Sequence, residues 1–261
     1  MQPCRNNEWL RVMVFDVFDL GSRSMPRLSP TAPTAPTAPL HLRRGLLVAI
    51  EGPDRAGKTT VVSALRDRHG FVAVKRPDRT SPTGLVLAQF IRGELAFSGD
   101  ARLNERAAQM VFACNNLEGR DFIVGTLKQG ADVVMDRYVP SGVVYHSQAT
   151  NGEDTRAFIH TLNEGMPRPD LVLVFEVAPE VAAARADFGG ERNDTVDVQR
   201  AVGAGFRRFY GDDARVQFVD ASRDPATVLA DVVARVAALR AAAAAAETAS
   251  ESAWELELKY F

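Results

Sequence analysis

The sequence predicts a three-layer α/β domain: a five-stranded parallel sheet with helices on both faces and a short lid. Three observations carry that prediction. Short apolar runs alternate with stretches of helical period, the pattern of strands joined by right-handed helical crossovers. Two of these runs, VVMD at 133–136 and LVLVFE at 171–176, are continuously apolar up to a closing acid, as expected of strands covered on both faces. A third run, Leu46–Glu51, leads into Gly52-Pro-Asp-Arg-Ala-Gly57-Lys58-Thr59, which fits G-x-x-x-x-G-K-[ST] and has helical sequence after it.

Taken in chain order, strands are expected at Leu46–Glu51, Phe71–Lys75, Ala131–Asp136, Leu171–Glu176 and Val216–Asp220. A helix is expected to begin at Lys58, and one long helix to run through Leu103–Lys128. Further helices are expected at Glu153–Asn163, Pro179–Arg185, Asp197–Tyr210 and Pro225–Arg240. The domain therefore occupies 45–240. Before it, residues 1–44 lack a sustained period and contain SPTAPTAPTAPL, with proline at every third position. Proline feeds neither a helix nor a central strand, so this segment reads as a disordered extension. Glu8, Asp16 and Asp19 weigh against a mitochondrial transit peptide, which is poor in acids. After the domain, 241–261 is an alanine-rich tail, helical or disordered; docking of Trp254 or Phe261 is not legible from the sequence.

Composition narrows the function. The chain has 261 residues, 46% hydrophobic and 25% charged, with a formal net charge of -2. That balance argues against a general nucleic-acid coat, and no apolar run reaches the roughly 18–20 residues that span a bilayer. Cys4 and Cys114 form neither a disulfide framework nor a metal cluster, so a reducing, intracellular setting is expected. Cys114, within the long helix, reads as a small buried hydrophobe. His41, His69, His146 and His160 make no ligand spacing or triad, and none is assigned a catalytic role.

The loop motif has a direct physical reading. Backbone N–H groups of Gly52–Thr60 and the following helix N-terminus face nucleotide phosphates, Lys58 adds a point charge, and the Thr59 hydroxyl can reach Mg²⁺. A second signal is VVMDRYVPSG at 133–142. An aspartate at the carboxyl end of a parallel strand faces the ligand crevice of an open sheet. Asp136 is placed to hold Mg²⁺ through water, and Arg137 to grip an anion bidentately. A surface ion pair is the bland alternative for Asp136 and Arg137, and the loop motif weighs against it.

EGPDRAGKTT, RPDRTSPTG, DRYVPSGVVY, MPRPDLVLVFEV and DFGGER occur in the order and spacing of thymidylate kinases. The resemblance covers Gly45 to about Ala237 and is closest to the eukaryotic and poxvirus-like branch of these P-loop NTPases. It implies transfer of phosphate from ATP to dTMP, with Mg²⁺, by a homodimer that is cytoplasmic or nuclear and binds neither nucleic acid nor membrane. It implies that Asp54 hydrogen-bonds the acceptor's 3′-hydroxyl and that Arg55 reaches the transferring phosphates in cis, with Ala56, Gly57 and Thr60 completing the loop. Arg79 matches the arginine on the acceptor phosphate, and the phenylalanine common in that segment is replaced by Arg76. Phe112 matches the ring that stacks on the base, and Asn116 stands where this branch usually has an arginine donating to thymine. Ser141, Gly142 and Tyr145 line the sugar, Tyr145 crowding the 2′ position. Arg185 and Arg192 fall in the lid, ARADFGGERND at Ala184–Asp194, and Gln199 is a further contact beyond it.

Two rivals stand beside this reading. A deoxynucleoside kinase needs a carboxylate after the second strand as general base; here Arg76-Pro77-Asp78-Arg79 suits an acceptor that is already charged. A catalytically silent nucleotide-binding protein would use the proline-rich extension as its working part; the intact Lys58, Thr59 and Asp136 count against it.

Overall fold

The computed structural model describes residues 44–150, 155–184, 195–249 and 258–261. Its five strands are β1 (Leu47–Glu51), β2 (Val72–Lys75), β3 (Val133–Asp136), β4 (Leu171–Glu176) and β5 (Val216–Asp220). They form one parallel sheet in the order β2-β3-β1-β4-β5. Strand residues alternate between faces, and each face has its own core. Leu47, Ala49, Val133, Met135, Val172 and Val174 bury one face. It is covered by α4 (Arg120–Lys128), α5 (Val139–Thr150), α6 (Thr155–Leu162) and α8 (Val196–Tyr210). Val48, Ile50, Val134, Leu171, Leu173 and Phe175 bury the other, under α1 (Lys58–His69) and α9 (Pro225–Ala249).

This division positions the site. The chain leaves β1 for α1 on one face and leaves β3 for α5 on the other, although the two strands are neighbours. The crevice opens where the connections part, at the carboxyl ends of β1 and β3. The β1–α1 turn depends on two glycines. Gly52, at φ 129°, would bring a Cβ within 2.4 Å of the Phe175 carbonyl oxygen, and Gly57, at φ 90°, caps α1 in the left-handed region.

Several elements differ from expectation. The long helix is two: α3 (Ala101–Glu118) and α4 meet at Gly119, where a Cβ would collide with the guanidinium of Arg76. Two helices were not expected at all. One is α2 (Pro82–Ile91), capped by Ser81 with Pro82 opening the first turn; the other is α5, whose PSGVV start is poor in helix formers. The expected helix at 179–185 is α7 (Pro179–Ala183). Cys114 is exposed, which corrects its reading as a buried side chain: Ala113 and Asn115 take the inward positions beside it. The extension at 1–43 lies outside the described residues.

The tail does dock. Tyr260 bridges to Pro167, Lys259 O accepts from Arg168 N at 2.6 Å, and Phe261 N donates to Met166 O at 3.1 Å. Leu258 is buried in the core of the α5 face, and the Phe261 ring lies against Tyr138 and His160. These contacts tie the last four residues to Met166–Arg168, between α6 and β4, and to the Tyr138 ring after β3. Truncation after Glu257 is expected to lower the melting temperature by about 5 °C or more, from two lost backbone bonds and two uncovered side chains. An unchanged thermal melt would show that the docked residues carry no stability.

Candidate active site

A cavity of about 1190 Å³ runs from the phosphate loop to α3. At its centre Lys58 is buried, with Nζ donating to the carbonyls of Gly52 and Pro53. Burial, followed by the nearby Arg137 charge, pushes the ammonium down to about 7. A polyanion beside Nζ favours its charged form and draws it back up.

Thr59 Oγ1 donates to Asp136 Oδ2 at 2.6 Å, and Lys75 Nζ lies 3.8 Å from the same oxygen. A hydroxyl and a buried carboxylate are hard oxygen donors suited to Mg²⁺, which keeps several waters and needs few protein ligands. Among the described residues no cluster of three His, Cys, Asp or Glu side chains is placed to cage a metal.

The second network joins the turns after β1 and β3. Arg137 donates Nη2 to Asp54 Oδ1, and Nη1 to Gly52 O at 3.1 Å and Ser141 Oγ at 3.2 Å. Asp54 Oδ2 accepts from Tyr145 Oη at 2.9 Å and Gln199 Nε2 at 3.1 Å, while Asp54 N donates to Gln199 Oε1 at 2.6 Å. Burial opposes ionisation of Asp54, but Arg137 and Lys58 together hold its carboxyl well below the ordinary range. For Arg137 burial is likewise outweighed, chiefly by Asp54, and its pKa is raised. Arg55 and Arg137 both sit at positive φ, 60° and 68°, and both line the cavity. Non-glycine residues in this region are strained and persist where their surroundings over-determine them.

At the far end the cavity meets Arg79, Phe112 and Asn116. Phe112 packs edge-on against Phe90, at 6.5 Å between ring centroids. Asn116 faces the cavity, whereas its neighbour Asn115 is fully buried and ties the Arg79 loop to α3 through Asp78 N, Asp78 O and Ser81 Oγ. Ala56, Gly57, Thr60, Ser141, Gly142 and Tyr145 also line the space. Gly52 does not; its carbonyl faces inward to Lys58 and Arg137. Gln199 stands behind Asp54 rather than on the cavity wall. Arg185, Arg192 and the expected lid lie outside the described residues.

These features decide the family question together with the comparisons. The thymidylate kinase family model matches residues 50–232. The chain belongs to the thymidylate kinase family. It is therefore a nucleoside monophosphate kinase. Among curated relatives, it is 32% identical to the thymidylate kinase of Danio rerio, over 73% of this chain and 89% of that one. It is also 32% identical to that of Dictyostelium discoideum, over 62% of this chain and 71% of the relative. The solved thymidylate kinase of Candida albicans superimposes with a TM-score of 0.67 at 26% identity, covering 76% of this chain and 93% of that one.

Some residues of the enzyme's site were not singled out in the sequence. Glu51, fully buried at the end of β1, accepts from Tyr138 N at 2.8 Å, Ser141 N at 3.3 Å and Ser141 Oγ at 2.5 Å. Its carboxylate thus holds the first turn of α5 and the Arg137 turn before it. Its place at a strand end was the available signal. Asn163, just after α6, also lines the cavity, as do Ala221, Arg223 and Val228 beyond β5; no motif marks any of these.

Burial raises Glu51 to about 7, from an ordinary value of 4.5. The native state therefore keeps a proton that the unfolded chain has lost. The stability this residue contributes is full below about pH 4.5 and is lost as pH rises through about 7. Glu51→Gln mimics the protonated form, so its melting temperature should gain on the parent's by several degrees between about pH 5 and pH 8. Parallel melting curves across that range would mean that Glu51 does not titrate there.

Proposed function

We propose that the enzyme transfers the γ-phosphoryl of ATP to dTMP, giving ADP and dTDP, across the cavity between the phosphate loop and Phe112. The observation that carries this reading is the Asp54–Arg137–Tyr145–Gln199 network, which sets sugar-facing and phosphate-facing groups in one rigid frame. Gly57–Thr60, with Lys58, cradle the ATP phosphates. Asp54 and Tyr145 face the deoxyribose, Arg79 holds the acceptor phosphate, and Phe112 and Asn116 face the base. Arg55, Lys58 and Arg137 supply positive charge to the migrating group. A phosphate acceptor is largely ionised near neutral pH, so the transfer asks the protein for position and charge rather than a general base. That fits His146 and His160, which burial and nearby arginines hold neutral, at about 4. Mg²⁺, held by Thr59 and Asp136 through water, would neutralise phosphate charge.

The same reading includes a homodimer acting in the cytoplasm or nucleus, with no nucleic-acid partner. Support for the dimer comes from α3, where Leu103, Met110 and Leu117 are 57%, 48% and 43% exposed at seven-residue spacing. Leu85 and Val86 of α2, which packs against α3, are exposed as well. Among the described residues no helix is long and apolar enough to cross a membrane.

Coupled ADP release over a panel of deoxy- and ribonucleoside monophosphates tests the reaction, with dTMP expected as a substrate and thymidine not. Lys58→Met should lower turnover by about a hundredfold or more, as loss of one phosphate-stabilising cation does. Its melting temperature at neutral pH should hold or rise, because a buried ammonium is costly below its depressed pKa and methionine is not. Phosphorylation of thymidine in preference to dTMP would overturn the assignment. For the dimer, Met110→Glu is expected to give monomers by light scattering. An unaffected dimer would place the interface elsewhere.

A further inference from the structure

The base end of the cavity has a definite hydrogen-bond polarity. Asn163 Nδ2 donates to the backbone carbonyl of Ile159 at 2.9 Å, and a carbonyl can only accept. That bond fixes which way the Asn163 amide lies, so its Oδ1 faces Asn116 and accepts from Asn116 Nδ2 at 2.8 Å. Asn116 is thereby turned with its own carbonyl oxygen away from Asn163. Two turns earlier on the same face of α3, Gln109 Nε2 donates to a Glu105 carboxyl oxygen at 2.9 Å. Gln109 Oε1 then stands 3.1 Å from where a Cβ of Gly142 would lie. Both residues line the cavity beside Phe112, each with one N–H of its NH₂ group engaged and its oxygen accepting no hydrogen bond among the described residues.

A wall of acceptors distinguishes pyrimidines by what they carry at position 4. Thymine has an acceptor oxygen there and a single donor at N3; cytosine has an amino donor. An arginine in place of Asn116 would pair with the oxygen and repel the amino group. We propose that Asn163 is a positioning residue for base selection: it holds Asn116 as an acceptor, and the pocket therefore takes a 4-amino pyrimidine deoxynucleotide, dCMP, alongside dTMP. This rests on the reading that Asn116 faces the base. Cytosine and thymine are close in size, so the discrimination comes from hydrogen-bond polarity rather than fit.

The test is kcat/KM for dTMP and dCMP, measured side by side in the parent and four variants. The parent is expected to use dCMP within about a hundredfold of dTMP, since about one hydrogen bond separates them and a mismatched one costs more. Asn163→Leu frees the Asn116 amide to turn and should lower the dCMP:dTMP ratio about fivefold or more. Asn163→Asp keeps an oxygen for Asn116 Nδ2 and should leave the ratio within about twofold. Asn116→Arg reverses the polarity and should cut the ratio at least about tenfold, which decides the matter even if Asn163→Leu fails to fold. A parent that uses dCMP more than about a thousandfold worse than dTMP, beyond the loss of one hydrogen bond, overturns the inference. So does a ratio unmoved by both Asn163→Leu and Asn116→Arg. The fourth variant, Asn116→Ala, separates the two levels. An unchanged KM for dTMP would sink the base-reading role of Asn116 itself; a raised KM with no dCMP activity in the parent would sink only the proposal made here.

Discussion

The pairing of Arg137 with Asp54 is the contact on which the rest of the site depends. Each side chain lies at a turn leaving a different strand, and each turn sends its helix to a different face of the sheet. Beside the β1–β3 ladder, Glu51 bonded to Tyr138 N and Ser141, and Thr59 bonded to Asp136, also link the two turns. Partly burying both charges is tolerable because each compensates the other and further polar atoms are met by Gly52 O, Ser141, Tyr145 and Gln199. Removing one partner would leave a half-buried charge without its counter-ion.

The same economy of charge extends along the crevice. Glu51, Asp54, Lys58, Asp136 and Arg137 crowd the carboxyl ends of two adjacent strands, three acids with two bases. Glu51 accepts from the uncharged donors Tyr138 N, Ser141 N and Ser141 Oγ, and its burial favours the protonated form. Lys58 has a different role from Arg137. Arg137 is bound to Asp54, whereas Lys58 touches only loop carbonyls and is destabilised as a cation where it stands. A site that disfavours its own lysine's charge is one that gains when a polyanion enters, which converts binding of phosphate into restored electrostatic stability.

Away from the phosphates, the molecule's individuality lies in its amides. Asn115 and Asn116 are adjacent on α3, yet one is buried as a brace for the Arg79 loop and the other faces the cavity. Helical geometry separates neighbours by about 100°, so two identical residues serve a loop and a pocket. Their difference is set by what α3 packs against.

Much was legible in the sequence because local chemistry suffices for it. The strands announce themselves by short apolar runs, interrupted by Gln217 in β5, and a loop that must expose N–H groups to phosphate needs glycines at set positions, so Gly52, Lys58, Thr59 and Asp136 could be named without a structure. Helix α5 was not legible: PSGVV has weak helix propensity, and it is helical because Glu51 satisfies its first N–H groups from another strand. The long helix is interrupted at Gly119, where Arg76 occupies the space a side chain would need. Gln199 and Asn163 reach Asp54 and Asn116 across 145 and 47 residues of chain, a distance that no local pattern encodes. The sequence by itself determined the strands and the phosphate loop, since these rest on periodicity and on steric needs within a few residues, while the class of reaction followed from the resemblance that its ordered motifs carry. Only the tertiary structure decided which way each amide points and which acid stays protonated, because hydrogen-bond direction and desolvation belong to the surroundings of a residue and not to its type.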